Sequence, residues 1–277
     1  MATAIVQLHE QGRIDLNDPV TKYLPYFRLA DERFKDITIR QMLNHTSGMV
    51  DVADYQWDAP QFDDGAAERF VRTMAEDQML WEPGGGWRYS NKAFDALGDV
   101  IAKVSGVSFE NYVQTHILGP LGMANSSFIH PEIAEDLRTS GHVGDPARVS
   151  DVYPYNRRHA PSSTLNSSVS DMVSWMLVNL QRGELNGRRI LQPESHKLLW
   201  QPSADTSTEG AQVGLSWFLG QYEGHRTISH GGGDTGFRSY IMLLPDTGIG
   251  IVLASNWSGT DTGLLARGVL ELLVPSG

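Results

Sequence analysis

Apolar positions along the chain follow helical spacing over about residues 1–200 and strand spacing after that. Met1, Ile5 and Leu8 stand at i, i+4 and i+7 with Gly12 as a stop, which predicts a helix. No Ser, Thr, Asp or Asn precedes Met1 as a cap, so the pattern reads as beginning inside an element. Asp15 to Pro19 reads as a turn and Thr21 to Pro25 as an extended connection. Thr38 is placed to cap a short helix whose Ile39, Met42 and Leu43 share one face. Another helix is expected near Gly65 to Met79. Between Asn91 and Ser105, the residues Phe94, Leu97, Ile101 and Val104 form an unbroken stripe that ends at Gly106. Ser108 starts a further short helix, and Ser168 or Ser170 caps one that carries Met172, Trp175, Met176, Val178 and Leu180. Pro131 to Pro161 shows no period.

Beyond Pro202, strands are expected over Val213 to Leu219, Arg226 to Ser229, Phe237 to Leu244 and Ile249 to Ala254. Turn residues at Gln221–Gly224 and Pro245–Gly248 separate them as hairpins require, and Thr260 to Leu273 reads as a closing helix. Helices first and an antiparallel meander last is an α+β arrangement with helices packed on the sheet. It is read as one domain over 1–277, mostly helical over about 1–200, with the sheet and closing helix over about 210–277.

Charge narrows the partners. With 33 acidic and 22 basic residues the formal net charge is −11, and no basic run exceeds the pairs Arg157-Arg158 and Arg188-Arg189. Phosphate neutralisation needs a basic face, so nucleic acid is not an expected partner. Cysteine is absent, which excludes disulfides and thiolate chemistry and leaves the compartment open. No apolar run reaches the roughly 18 residues of a membrane span. His9, His116, His130 and His142 show no ligand spacing, so neither metal nor cofactor is expected.

Two segments carry candidate chemistry. Tyr89-Ser90-Asn91 follows the glycine-rich Pro83–Gly86 and opens the Asn91 helix, which lets both flanking side chains project over one cleft. A tyrosine hydroxyl titrates near 10 and becomes a useful base only where cations lower its proton affinity. Asn91 donates and accepts hydrogen bonds at once, as needed to orient a lysine and a substrate amide. A packed tyrosine beside a helix-capping asparagine explains the same residues without chemistry. His230-Gly231-Gly232-Gly233 ends a predicted strand; glycines there sacrifice packing, and close approach of a ligand to the backbone compensates. The N–H of Gly233 is the best placed to serve half of an oxyanion hole. A plain hairpin turn is the competing reading. Ser47 lacks a nucleophile-elbow setting, and Ser90 and Lys92 point apart at i+2 on a helix.

Together these segments resemble the serine β-lactamase and penicillin-binding-protein superfamily, in particular the group of class C β-lactamases, D-alanyl-D-alanine peptidases, D-aminopeptidases and family VIII esterases. The resemblance runs through Ala4–Leu8, Asp18-Pro19-Val20, Asn44 to Met49, Pro83 to Asn91, Leu118 to Met123 and the final sheet. It implies acyl transfer through a serine ester on an ester, a D-amino-acid peptide or amide, or a β-lactam. Tyr89 and Asn91 match its second motif and His230, Gly231 and Gly232 its third. The nucleophile is expected in a Ser-x-x-Lys turn just upstream of Met1, and no such motif stands at a helix start within the chain. Histidine and glycine in the third motif, where β-lactamases usually show lysine and threonine, tilt the substrate toward esters and D-amino-acid peptides. Two functions follow: a hydrolase shortened, and impaired for want of that motif, or a non-catalytic protein that binds a ligand or partner in the retained cleft. Family members also begin with strands that pair with the last strands of the sheet. Without them an edge at Ile249 to Ala254 or its neighbour is expected to be open, which favours a homodimer.

Overall fold

The helix over Asn91–Ser105 (α4) organises the helical half of the computed structural model, which describes residues 1–274. Its residues Ala93 to Ile101 are all buried, so it meets neighbours around most of its circumference. It packs against α1 (Ala2–Glu10), α2 (Ile39–Leu43), α3 (Ala66–Thr73) and α5 (Phe109–Val113). Ser90 caps it by accepting from the Ala93 N–H, and Gly106 ends it in the left-handed conformation with φ +84°. Thr38 caps α2 through a full capping box with Gln41. Ser168 caps α6 (Val169–Leu180).

Two short hairpins, β1 (His142–Val143) with β2 (Arg148–Val149) and β3 (Glu184–Leu185) with β4 (Arg188–Arg189), interrupt the loops, and α7 (Pro193–Trp200) leads to the main sheet. Among the described residues that sheet has six antiparallel strands in the order β10-β9-β8-β7-β6-β5. They are β5 (Ala204–Asp205), β6 (Gln212–Val213), β7 (Phe218–Tyr222), β8 (His225–Asp234), β9 (Phe237–Leu244) and β10 (Ile249–Ser255). The α+β expectation of helices on an antiparallel sheet is borne out. The last of the sequence range read as one domain, residues 275–277, lies outside the described residues.

Side-chain alternation gives the sheet two faces. Ile228, Ile241 and Leu243 join the main core with the helices, and a Cβ on Gly250 would strike Met176 of α6 at 2.4 Å. Leu244 and Ile251 turn to the other face, where Ala266 and Leu270 of α8 (Thr262–Leu273) form a smaller cluster. Register pairs His230 with Ile241 and Gly232 with Ser239, so the His230 side chain projects toward the helical body.

Several local expectations are corrected. Thr21 to Pro25 is not extended: Val20–Lys22 forms a 3-10 turn, with the Asp18 carboxylate accepting from Lys22 and the Tyr23 hydroxyl. The run Val213 to Leu219 is split between β6 and β7, because Ser216 takes φ +76° and Gly214 lies against the Leu199 carbonyl, 2.2 Å from where a Cβ would stand. The Arg226 to Ser229 strand continues through the glycines to Asp234, so the turn is at Thr235-Gly236, not at the glycines. Asp261 caps the last helix, which starts at Thr262, two residues later than expected.

Gly98 on α4 faces Pro161, whose Cγ would sit 2.1 Å from an added Cβ. Helix propensity alone makes Gly98→Ala stabilising by about 1 kcal/mol. The contact should reverse that sign and destabilise the protein by about 1–3 kcal/mol in urea titrations. A stabilised variant would show that this packing is loose.

Candidate active site

The cleft is assembled where α4 begins, and three backbone amides fix that junction. The Ser90 N–H donates to His45 Nδ1 at 3.2 Å, and the Ser90 hydroxyl donates to the Val50 carbonyl at 2.9 Å. The Asn91 N–H donates to Asp51 Oδ1 at 2.6 Å, and that of Arg88 to the His45 carbonyl at 2.9 Å. Because residues 44–51 form the loop that follows α2, the Tyr89-Ser90-Asn91 segment is anchored to a second part of the helical half.

The structure brings Tyr89 and His230 together, with ring centroids 6.3 Å apart, although they belong to different halves of the chain. The Tyr89 ring stacks on His45 at 4.3 Å, and Phe218 at the end of β7 lies 5.5 Å from His230. His230 Nδ1 donates to the Gly231 carbonyl at 2.8 Å, which leaves Nε2 as the free nitrogen of the neutral ring. Burial lowers the His230 pKa, against the raising effect of its hydrogen bond to the Gly231 carbonyl. Asn91 lies apart from that pair: its side-chain amide donates to the Tyr55 hydroxyl at 2.7 Å, and Tyr55 stacks on Trp57 at 4.7 Å.

The glycines sit in the strand with one edge free. β7 pairs with β8 only as far as Phe218 opposite Ser229, whereas β9 pairs with β8 through Asp234. Backbone groups alternate sides along a strand, so those of Gly231 and Gly233 point the same way as those of Ser229. That is the side β7 leaves open. All three glycines, Gly231 to Gly233, are exposed. A ligand on this edge meets main-chain donors and acceptors.

Electrostatically the cleft is acidic. Tyr89 is pushed up to about 12, first by burial and then by the charges of Asp51, Asp95 and Asp234. Lys92, its neighbour in sequence, is tied to Asp77 at 2.6 Å. Asp234 is itself pushed up to about 6 by burial, against the lowering pull of Arg238 and Trp57. Beyond Trp57 an open cavity of about 480 Å³ adjoins the cleft, with Asp54, Asp58, Arg148, Val152 and Thr235 on its walls. Under the Tyr55–Trp57 loop a buried pair, His159 Nδ1 and Asp95 Oδ2 at 2.7 Å, supports these aromatic rings.

Neither candidate serine is free for attack. The Ser90 oxygen is fully buried and capping, and Ser47, 1% exposed, receives the Met49 N–H. Among the described residues no three His, Asp or Glu side chains cluster as a metal site, and no helix is long and apolar enough to cross a membrane. The residues that sequence reasoning missed are His45, Asp51 and Tyr55. Each acts through a contact some 36 to 45 positions away in the chain, for which local pattern carries no signal.

Comparison with known proteins gives a match of residues 1–274 to a family model described as Beta-lactamase. Protein flp of Staphylococcus aureus (strain MW2) is 29% identical over 265 residues, covering 91% of this chain and 50% of that protein. The chain thus spans about half the length of such curated relatives. Among solved structures, the octameric penicillin-binding protein homologue from Pyrococcus abyssi superposes with TM-score 0.85 at 26% identity, over 100% of this chain and 64% of that one. A D-stereospecific amidohydrolase from Streptomyces sp. does so with TM-score 0.79 at 27% identity, over 100% and 84%.

The folded state holds the Asp234 proton more tightly than the unfolded chain, so the stability it contributes is full below pH 3.8 and is lost as pH rises through about 6. Asp234→Asn should therefore match the parent near pH 4 and exceed it by about 2–3 kcal/mol at pH 7, read from urea midpoints. A gap independent of pH would remove the buried carboxylate as its source.

Proposed function

The chain belongs to the β-lactamase family, and on that premise we propose that it is a serine hydrolase whose cleft takes an ester or a D-amino-acid amide or peptide. One observation carries the proposal: Tyr89 and His230, from the two halves of the chain, meet beside the open edge of the glycine strand. In this reading a Ser-x-x-Lys serine ahead of α1 attacks the substrate carbonyl through its Oγ. Its proton passes by way of the lysine and Tyr89 to the leaving amine or alcohol, and water then cleaves the acyl ester. The N–H groups of the serine and of Gly233 hold the oxyanion, while Asn91 and the β8 edge orient the substrate. His230 is the third-motif residue, and its neutral ring offers no cation to a carboxylate. Asp51, Asp95 and Asp234 add negative charge around Tyr89, so an anionic β-lactam is the poorest of the three substrate types. The D-stereospecific activity named for the Streptomyces neighbour supports the same ordering.

Burial, and after it the carboxylates around Tyr89, keeps that phenol protonated. That observation favours a second reading, binding in the cleft without turnover. Both are tested by assaying residues 1–277 and a version extended upstream through Ser-x-x-Lys with p-nitrophenyl esters, D-amino-acid anilides and a chromogenic cephalosporin. The extended form should hydrolyse ester and anilide faster than cephalosporin. The shorter one should stay near background, since loss of a serine nucleophile costs on the order of 10⁶ in kcat in subtilisin. Tyr89→Phe should lower kcat of the active form about 10²–10⁴-fold. Turnover by residues 1–277 that Ser90→Ala abolishes would refute this assignment of the nucleophile.

We further propose that β10, the outermost strand of the described sheet, pairs with a second copy. The octamer of the Pyrococcus homologue supports self-association. Sedimentation should give at least twice the monomer mass, and a monomer at high concentration would exclude it.

A further inference from the structure

His45 touches the residue on each side of Tyr89 and Tyr89 itself. Its carbonyl accepts the Arg88 N–H at 2.9 Å, its Nδ1 accepts the Ser90 N–H at 3.2 Å, and its ring stacks on the phenol at 4.3 Å and 28°. The opposite face of the imidazole stacks on Phe94 at 5.0 Å, so the ring is a spacer between Tyr89 and the buried body of α4. We propose that His45 is a positioning residue that clamps Tyr89, fixing the phenol opposite His230 through paired hydrogen bonds to the flanking amides.

Two features of His45 are unfavourable for folding and are understandable if position is what is being maintained. The residue takes φ +63°, a left-handed conformation that only a few per cent of non-glycine residues adopt, histidine being among the more tolerant. An imidazole nitrogen that accepts an N–H carries no proton, so the ring proton must sit on Nε2. That nitrogen is buried with no partner among the described residues, and an unsatisfied buried donor destabilises a fold. The clamp works only with a neutral ring, since protonation would replace the acceptor at Nδ1 with a donor facing the Ser90 N–H. Burial, aided by His230, holds the His45 pKa down at about 3, so the ring is neutral at neutral pH and well below it. The other ionisable groups that bear on Tyr89 are Asp51, Asp95 and Asp234, none of which contacts its flanking amides on both sides.

This inference rests on the reading of Tyr89 as a residue that moves a proton, but its geometric half needs no turnover to test. Two variants separate ring from acceptor. His45→Phe keeps the stacked ring and removes the acceptor. His45→Asn removes the ring but places Oδ1 at the same bond distance from the backbone as Nδ1, and asparagine tolerates the left-handed φ. In His45→Phe the Ser90 amide should exchange with solvent at least tenfold faster relative to the Ala93 amide, which is held by the Ser90 hydroxyl. The ¹³C-labelled Tyr89 phenol, assigned with Tyr89→Phe, should titrate at least one pH unit below its parent value. His45→Asn should keep the Ser90 protection. In the form of the protein that turns over an ester, His45→Phe should lower kcat about 100-fold with KM within threefold, and His45→Asn should restore most of it. Unchanged Ser90 exchange and Tyr89 titration in His45→Phe would overturn the clamp, as would a kcat loss equally large in His45→Asn. Should no form hydrolyse any substrate while the exchange and titration shifts are found, the clamp stands and the hydrolase reading falls.

Discussion

The structure depends on the junction at Ser90. One hydroxyl caps α4 and reaches the Val50 carbonyl, one amide reaches His45, and the next amide reaches Asp51. These bonds tie α4, the longest helix among the described residues, to the loop that follows α2. Everything in the cleft is referred to that tie, since Tyr89 precedes the cap and Asn91 opens the helix. Because Ser90 is wholly buried, each of these groups would be left unsatisfied if its partner moved, and such losses cost roughly 1–3 kcal/mol each. The junction is consequently stiff, and it holds in one place the Tyr89 ring that faces His230 of the sheet.

How much of this is legible in the sequence depends on whether the cause is local. The Phe94–Leu97–Ile101–Val104 stripe and the terminal Gly106 locate α4 to its last residue, because period and cap both lie within the segment. Thr38 and Gln41 mark α2 in the same way. By composition the glycines after His230 end a strand, yet pairing with β9 carries them on to Asp234. A strand continued by its neighbour leaves no trace in its own composition. Val213 to Leu219 fails for the converse reason: its residues favour strand, but the approach of Gly214 to Leu199 breaks it.

For the cleft, the motif residues Tyr89, Asn91 and His230 are found from their settings, and the structure places Tyr89 beside His230. It does not place Asn91 in direct contact with either, since that side chain is engaged by Tyr55. The acidic character of the cleft is invisible in the net charge of −11, which says nothing of where the carboxylates gather. Asp51, Asp95 and Asp234 come from a loop, a helix and a strand, and only the fold concentrates them on one phenol.

The open side of β8 carries a consequence for how such a protein diversifies. From Gly231 to Gly233 a bound molecule meets peptide groups and no side chains, so substitution there has little to alter except the strand itself. A surface that reads its ligand by main chain is generic, and mutation cannot easily retune it. Discrimination among ligands must then drift in the walls, the Asp51–Asp58 loop and the irregular stretch from Pro131 to Pro161, whose sequences are free of the sheet's register. The scaffold thus separates a main-chain grip from an adjustable rim, an arrangement in which selectivity can change through loop exchange while the framework is left alone.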